Sequence, residues 1–430
     1  ANDKILVIIQ LAGGNDGLNC LIPYQDPTYL ANRPTLGLKT SDKILTLSDH
    51  DTLAMHFNMT GAHDLYAAQK MAILQNVGYP NPNLSHFRGT DIWNTATDSG
   101  KYADTGWVGR MLYHPYQELE YVRIIQKETE VYTASIVART QTTNKVTYPT
   151  NNNLATQLSN VAQLIASGFT TKIYLTLQGG YDTHSNQSTD QGNNLLQLSA
   201  AMKAFQDDLE AFGLADKVVT MTYSEFGRRP VENGGGTDHG TAAPLFVFGT
   251  QVVPGVKGYD PKLATANLVN GNLAYQPEHD FRNIYSSLMF EWLLSGTDSE
   301  KNALISNVLT ASDGSTFSTS NDWLHLGIIK NQSTSVEAYQ TEAAGLMLME
   351  NYPNPVSRET TIEYSLPEAT NVQLGIFNSN GVEVARIVDQ KQGAGIYKSN
   401  FKPGNLPSGS YIYRLSTPKG QVAKQMIVVK

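Results

Sequence analysis

Short apolar runs alternate with longer stretches of helical period up to about residue 330. The runs Lys4–Leu11, Met71–Val77, Arg123–Lys127, Lys172–Leu177, Lys217–Tyr223 and Leu245–Phe248 are almost continuously apolar and rich in Ile and Val. That composition predicts strands buried on both faces. Helices are predicted over 53–69, 86–97, 152–167, 190–212 and 280–294. In the fourth of these, Leu195, Leu198, Met202, Phe205 and Leu209 recur at spacings of three and four, which places them on one apolar stripe. The alternation predicts an α/β domain over residues 1–330, with a mostly parallel sheet covered by helices on both faces.

The grammar changes near residue 350. The runs TTIEYSL, NVQLGIFN, VEVARIVD, GIYKSNF, GSYIYRLST and QVAKQMIVV alternate with period two. Asn380-Gly381, Pro403-Gly404-Asn405, Pro407-Ser408-Gly409 and Pro418-Lys419-Gly420 separate them as turns. A small all-β sandwich over residues 351–430 is expected. A linker over 331–350 joins the two domains, beginning at the polar run Asn331-Gln332-Ser333-Thr334-Ser335.

Composition narrows the function classes. The 430 residues suit two domains of unequal size. Charged residues make up 16%, against roughly 25% in an average globular chain, and the polarity comes instead from uncharged side chains and 22 tyrosines. Such a surface suits work outside the cytoplasm. A net charge of −8 with no Lys/Arg cluster argues against nucleic acid as a partner. No run reaches the ~20 apolar residues of a membrane helix. The single Cys20 excludes an internal disulfide framework and a cysteine-based zinc site, and its neighbours Leu18, Leu21 and Ile22 predict a packed thiol. The chain starts at Ala1 without a signal sequence, as expected for a mature protein whose targeting segment has been removed.

In open α/β sheets, ligands gather at the carboxyl ends of strands. The first strand is followed by Gly13-Gly14-Asn15-Asp16-Gly17, and Lys172–Leu177 by Gly179-Gly180-Tyr181-Asp182-Thr183-His184. Lys217–Tyr223 is followed by Ser224-Glu225-Phe226-Gly227-Arg228, and the loop Gly234–Gly240 carries Asp238 and His239. Each segment has an ordinary reading as a turn, cap or flexible loop. Taken together, they place carboxylate or imidazole groups beside glycines at three strand ends and in one loop. These are the oxygen and nitrogen donors that hard and borderline cations take. Asn15, Asp16, Asp182, His184, Glu225, Asp238 and His239 are the candidate metal ligands.

A further segment reads Tyr79-Pro80-Asn81-Pro82-Asn83-Leu84-Ser85-His86-Phe87-Arg88. Ser85 is placed to cap the helix that follows. A hydroxyl there also faces free N–H groups and the positive end of the helix dipole, a setting that suits an anionic group. Ser85 is therefore the candidate nucleophile, with Arg88 as a bidentate clamp for an oxyanion and His86 ranked below Ser85.

On these stretches, together with DFRNIYSSLMFEWLL, the first ~300 residues resemble the bacterial DUF1501 family. That family is itself similar to the alkaline phosphatase/sulfatase superfamily of metal-dependent phosphate and sulfate ester hydrolases. The resemblance implies Asp16 as a first-strand metal ligand and Ser85 as the nucleophile. It implies Asp182, His184 and His239 at a first metal, and Glu225 at a second in place of an Asp-His pair. The motif Asn351-Tyr352-Pro353-Asn354-Pro355, Leu406-Pro407-Ser408-Gly409-Ser410-Tyr411 and the ending Lys424–Lys430 resemble the C-terminal sorting domain of type IX secretion substrates in Bacteroidetes. This implies the type IX machinery as a partner and a secreted or cell-surface location.

The resulting expectation is a secreted or cell-surface hydrolase of phosphate or sulfate esters, acting on a small molecule or a glycan. Ser85 attacks, one or two zinc or calcium ions assist, and Arg88 or Arg228 clamps an oxygen. One alternative is a catalytically degenerate surface protein that binds a glycan or another anionic ligand. The other is a structural or adhesive surface protein.

Overall fold

The computed structural model describes residues 3–112, 142–309, 324–330, 347–348, 351, 356, 358–366, 368–378, 382–404, 406–418 and 420–428. The strand expected at Arg123–Lys127 lies outside these residues. So do nearly all of the linker, most of the Asn351–Pro355 motif, the Asn380-Gly381 turn, Asn405 and Lys419. The chain divides into two compact units, Ala1–Asn331 and Gln332–Lys430.

The larger unit is built on β1 (Ile5–Leu11), β2 (Met71–Val77), β3 (Ile173–Gln178), β4 (Val218–Tyr223), β5 (Arg228–Glu232), β6 (Thr237–His239), β7 (Ala243–Phe248) and β8 (Gly255–Lys257). Its principal helices are α1 (Thr60–Ala67), α2 (His86–Thr95), α3 (Asn153–Ala166), α4 (Gln187–Ala211), α5 (Phe281–Leu288) and α6 (Asp298–Val308). Six strands form one sheet in the order β8-β2-β7-β4-β1-β3, while β5 and β6 form a separate hairpin. β1 pairs in parallel with both β3 and β4. β7 runs antiparallel to both β4 and β2. Consequently β2 points the same way as β1, β3 and β4, and their carboxyl ends share one edge. β7 enters the sheet from that edge, so the residues just before it lie there too.

β1 shows why the sheet is sandwiched. All seven of its residues are buried, but alternate ones face opposite ways. Ile5, Val7, Ile9 and Leu11 pack in a core with Leu65 of α1, Leu158 of α3 and Phe205 of α4. Leu6 and Ile8 pack in another with Ile92 of α2, Ile284 of α5 and Ile305 of α6. Burial of one such aliphatic side chain contributes roughly 1.5–3 kcal/mol, so neither face of this strand can be left to water. The predicted α4 stripe, Leu195 to Leu209, is buried against the first core.

Three expectations are corrected. Among the described residues β3 is an edge strand paired with β1, and it exposes Leu175 (60%) and Leu177 (45%) instead of being buried on both faces. The helix expected over 53–69 begins only at Thr60, because His50–Met55 is captured as a strand by Leu21–Ile22 and Leu45–Leu47. The helix expected over 280–294 is α-helical to Leu288 and widens to a π turn over Met289–Leu293. α6 was not anticipated, although its capping box of Thr297 and Glu300 is a sequence signal.

The smaller unit is all-β. β9 (Thr360–Leu366) pairs on one side with β12 (Gly395–Phe401) and on the other with the short strand Met347–Leu348. β11 (Glu383–Gln392), β10 (Thr370–Phe377), β13 (Gly409–Thr417) and β14 (Gly420–Val428) form a four-stranded antiparallel sheet in that order. Alternate residues such as Ile362, Tyr364, Leu374, Ile376, Tyr413 and Leu415 share one core between the sheets, which makes a sandwich. Among the described residues, no helix is long and apolar enough to cross a membrane.

Candidate metal centre

Four segments meet at the shared sheet edge. After β2, the chain enters α2 with His86 as its first residue. After β3 come Asp182 and His184, after β4 comes Glu225, and ahead of β7 the β5–β6 hairpin delivers Asp238 and His239. Close backbone approach makes this possible. Gly13 has φ +123°, and a Cβ there would lie 2.3 Å from the backbone nitrogen of Asp182. At Gly236 a Cβ would lie 2.3 Å from the carbonyl oxygen of Thr183. Larger residues at either position would push the Asp182–His184 loop outward.

Three imidazoles and one carboxylate converge. His184 Nε2 lies 3.1 Å from His239 Nε2 and 3.1 Å from Asp182 Oδ1. His239 Nε2 is 3.2 Å from the same oxygen, and His86 Nε2 is 3.4 Å from Asp182 Oδ2. Ligand atoms of His86, Asp182 and His239 all lie within 4.8 Å of one another. Each ring also offers its other nitrogen to an acceptor. His86 Nδ1 meets Glu225 Oε1 at 2.7 Å, His239 Nδ1 meets the Leu84 carbonyl at 2.9 Å, and His184 Nδ1 lies 3.4 Å from Asp238 Oδ1. These partners favour hydrogens on Nδ1, so the Nε2 lone pairs face one another and a carboxylate. Lone pairs arranged in this way call for a cation between them. His86 Nε2 is buried and makes no hydrogen bond.

The donor set fits a metal ion. Ligands at 2.0–2.1 Å from a tetrahedral zinc stand about 3.3 Å apart, close to the His184–His239, His184–Asp182, His239–Asp182 and His86–Asp182 separations, while the set with all ligand atoms mutually near is His86, Asp182 and His239. Outer-sphere carboxylates and carbonyls on the remote ring nitrogens are the usual companions of metal-bound histidine. Glu225 is such a companion: it is buried, and its Oε1 also accepts the Gly13 N–H at 2.8 Å. Phe226 packs against the His86 and His239 rings at 4.9 and 4.7 Å. Burial pushes the Asp182 carboxyl up, but opposing effects, led by the hydrogen bond from Arg228, bring it down to about 2, so the group is anionic at neutral pH. The Asp238 carboxyl is also lowered, mainly by its hydrogen bond from Asn233.

Other expected site residues lie elsewhere. Asp16 is fully buried and engaged by Arg33 through two hydrogen bonds of 2.5 and 2.9 Å, with Gln187 as a further donor. It is absent from the cluster because the guanidinium satisfies it. Asn15 Oδ1 accepts from Gln191 at 2.8 Å. Arg88 points away, into the carbonyls of Asp98, Ser99 and Lys101 and the Asp91 carboxylate, so it holds a loop and does not face an oxyanion. Arg228 is buried and bonds the carbonyls of Gly13, Gly14, Tyr181 and Thr237 as well as Asp182 Oδ1 at 2.6 Å. It fixes Asp182 and has no free edge for a substrate. Ser85 is exposed at the helix start, but its side chain makes no capping bond, while Asn83 Oδ1 accepts the Ser85 N–H at 3.0 Å. Cys20 is a packed thiol, pushed up to about 12 by burial.

Residues 161–273 match the profile of DUF1501, a protein family of unknown function. The matched segment lies within the larger unit. That segment contains Asp182, His184, Glu225, Asp238 and His239, and His86 lies ahead of it. Residues 350–429 match the secretion system C-terminal sorting domain. Such a domain marks a chain for export to the cell surface or the extracellular space. No curated protein matches the chain. Among solved structures it is similar to PorZ, a surface component of the type IX secretion system of Porphyromonas gingivalis, with 18% identity and a TM-score of 0.15. That match covers 21% of this chain and spans only 13% of PorZ. A protein in the alkaline phosphatase superfamily from Vibrio parahaemolyticus aligns at 9% identity over 93% of this chain and 79% of its own, with a TM-score of 0.31. The lipoteichoic acid synthase LtaP from Listeria monocytogenes aligns at 12% identity over 60% and 67%, with a TM-score of 0.23.

Proposed function

We propose that this DUF1501 protein is an exported, metal-dependent hydrolase of phosphate or sulfate esters with Ser85 as nucleophile. The observation that carries the reading is the convergence of three imidazole nitrogens and a carboxylate beside an exposed serine. Ser85 stands between Leu84, whose carbonyl meets His239, and His86, which belongs to the cluster. Three nitrogens and one oxygen favour a single zinc ion over calcium, which takes six to eight oxygen ligands. His86, Asp182, His184 and His239 would hold it.

When bound, the cation supplies charge neutralisation and a lowered hydroxyl pKa. Glu225 and Asp238 keep His86 and His184 in the tautomer that offers Nε2, and Arg228 fixes Asp182. Ser85 Oγ gives up its proton to solvent and forms the bond to phosphorus or sulfur as the bond to the ester oxygen breaks, and that oxygen takes a proton from solvent and leaves as the alcohol. Water then cleaves the seryl ester. Elemental analysis of the full chain is expected to find one zinc. The zinc-loaded protein is expected to hydrolyse an aryl phosphate or sulfate, and Ser85→Ala to keep the metal but lose turnover. Absence of metal, together with no hydrolysis after zinc addition, overturns the reading.

One observation favours a binding protein on the same scaffold: neither Arg88 nor Arg228 has a free edge to clamp a transferring group. That reading expects ligand affinity that survives Ser85→Ala and no turnover in the unaltered protein.

A further inference from the structure

The first turn of α2 sends three consecutive side chains to three different places. His86 joins the imidazole cluster, Arg88 is buried among carbonyls, and Phe87 stands out with 92% of its surface exposed. Phe87 is the most exposed large apolar side chain among the described residues. Leaving a phenyl ring in water forfeits its burial, and α2 does not need the ring for packing, because Ile92 and Trp93 already anchor it. Ser85, also exposed, precedes His86. A second exposed ring, Tyr102, is held 4.0 Å over the Arg88 guanidinium and so flanks the same turn.

We propose that Phe87 seats the sugar ring of a glycan ester beside Ser85 and thereby selects the substrate class. The inference rests on the ester-hydrolase reading above. Charge complementarity is the first argument. Arg88 and Arg228 are engaged by the protein, and the chain carries −8 overall, so a densely anionic polymer meets repulsion and contacts beyond the ester group must be uncharged. Shape is the second. Asp182 and His184 are about half exposed, so the centre opens directly to solvent. A lipid chain needs an enclosed apolar groove to leave water, and a ring this exposed offers none. A pyranose requires only one apolar C–H face against an aromatic ring, with its hydroxyls left in water.

The test uses the zinc-loaded full chain with glucose 6-phosphate and glucose 6-sulfate, against ethyl phosphate and ethyl sulfate. Phe87→Ala is expected to raise KM for the sugar ester about tenfold more than for the ethyl ester, with kcat little changed. Phe87→Tyr is expected to restore the preference. Equal changes for both ester types, or none, overturn the proposal while leaving the hydrolase reading intact. If nothing is hydrolysed, the hydrolase reading fails, and equilibrium binding of glucose 6-sulfate decides the proposal. Weakening by Phe87→Ala and recovery by Phe87→Tyr uphold it, and no affinity or no weakening overturns it.

Discussion

Two segments of the larger unit share a sequence pattern and diverge completely in use. Gly13-Gly14-Asn15-Asp16 follows β1, and Gly179-Gly180-Tyr181-Asp182 follows β3, its parallel neighbour. Asp16 is sealed: Arg33 grips both its oxygens, and the same guanidinium is held by Asn19 and by the carbonyls of Arg229 and Pro230. Asp182 is 48% exposed and takes one arginine bond, which leaves acceptor capacity facing three imidazoles. A carboxylate whose lone pairs are filled by protein donors stabilises a fold, and one left with open lone pairs among imidazoles can take a cation. The partner set, and not the local motif, makes the difference.

The largest expected effect separates the two carboxylates by stability. Asp16→Ala leaves Arg33 charged and buried, at an expected cost of about 3–5 kcal/mol in urea unfolding, with zinc content of the folded fraction retained. Asp182→Ala is expected to abolish zinc binding while costing the metal-free protein only about 1 kcal/mol, because solvent screens that pair and four carbonyls still hold Arg228. Reversal of these outcomes would end the comparison.

Next is a histidine near the sealed side. His56 is buried, which lowers its pKa from 6.5 to about 4 against a small opposing pull from Asp16. Its Nδ1 accepts the Asn58 N–H at 3.1 Å, which requires the neutral ring. The folded-state value is depressed, so this contribution to stability is complete above pH 6.5 and lost as pH falls to about 4. The total is about 3 kcal/mol, and urea midpoints of His56→Phe are expected to show a correspondingly flatter slope over that range.

On the open side, Glu225→Gln is expected to weaken zinc affinity about 10–100-fold by disturbing the His86 tautomer, read by competition with a chelator. Asp238→Asn is expected to have the smallest effect, a few-fold at most, since its contact with His184 is 3.4 Å long and solvent-exposed. A larger loss for Asp238→Asn than for Glu225→Gln would reverse the roles assigned to the two carboxylates.

The fold was legible where local pattern and burial agree. β2, β12 and β13 run over the residues their apolar patterns mark, and the α4 stripe is buried as its spacing requires. Legibility failed where pairing decided the outcome: Leu175 and Leu177 look like core residues until β3 proves to be an edge among the described residues. For the centre, glycine-flanked Asp182, His184 and His239 were visible as polar groups at strand ends and in a loop. His86 ranked below Ser85 in the sequence because a histidine at a helix start is more often structural than catalytic. The signal that could have raised it was the shared direction of β2, β1, β3 and β4. Arg33 and Gln187 gave no sequence signal, since each reaches Asp16 across a long separation in the chain.

By itself, the sequence determined the change from α/β to all-β grammar, the main buried strands and helices, and the supply of histidines and carboxylates, because periodicity and local turn chemistry act over a few residues. Only the tertiary structure decided which carboxylate closed on an arginine and which stayed open, which arginines were engaged by carbonyls, and that β7 enters the sheet antiparallel and delivers His239 to the edge. Those outcomes depend on donors and acceptors brought together from distant parts of the chain, and a side chain's chemistry is fixed only when its last unsatisfied lone pair is known.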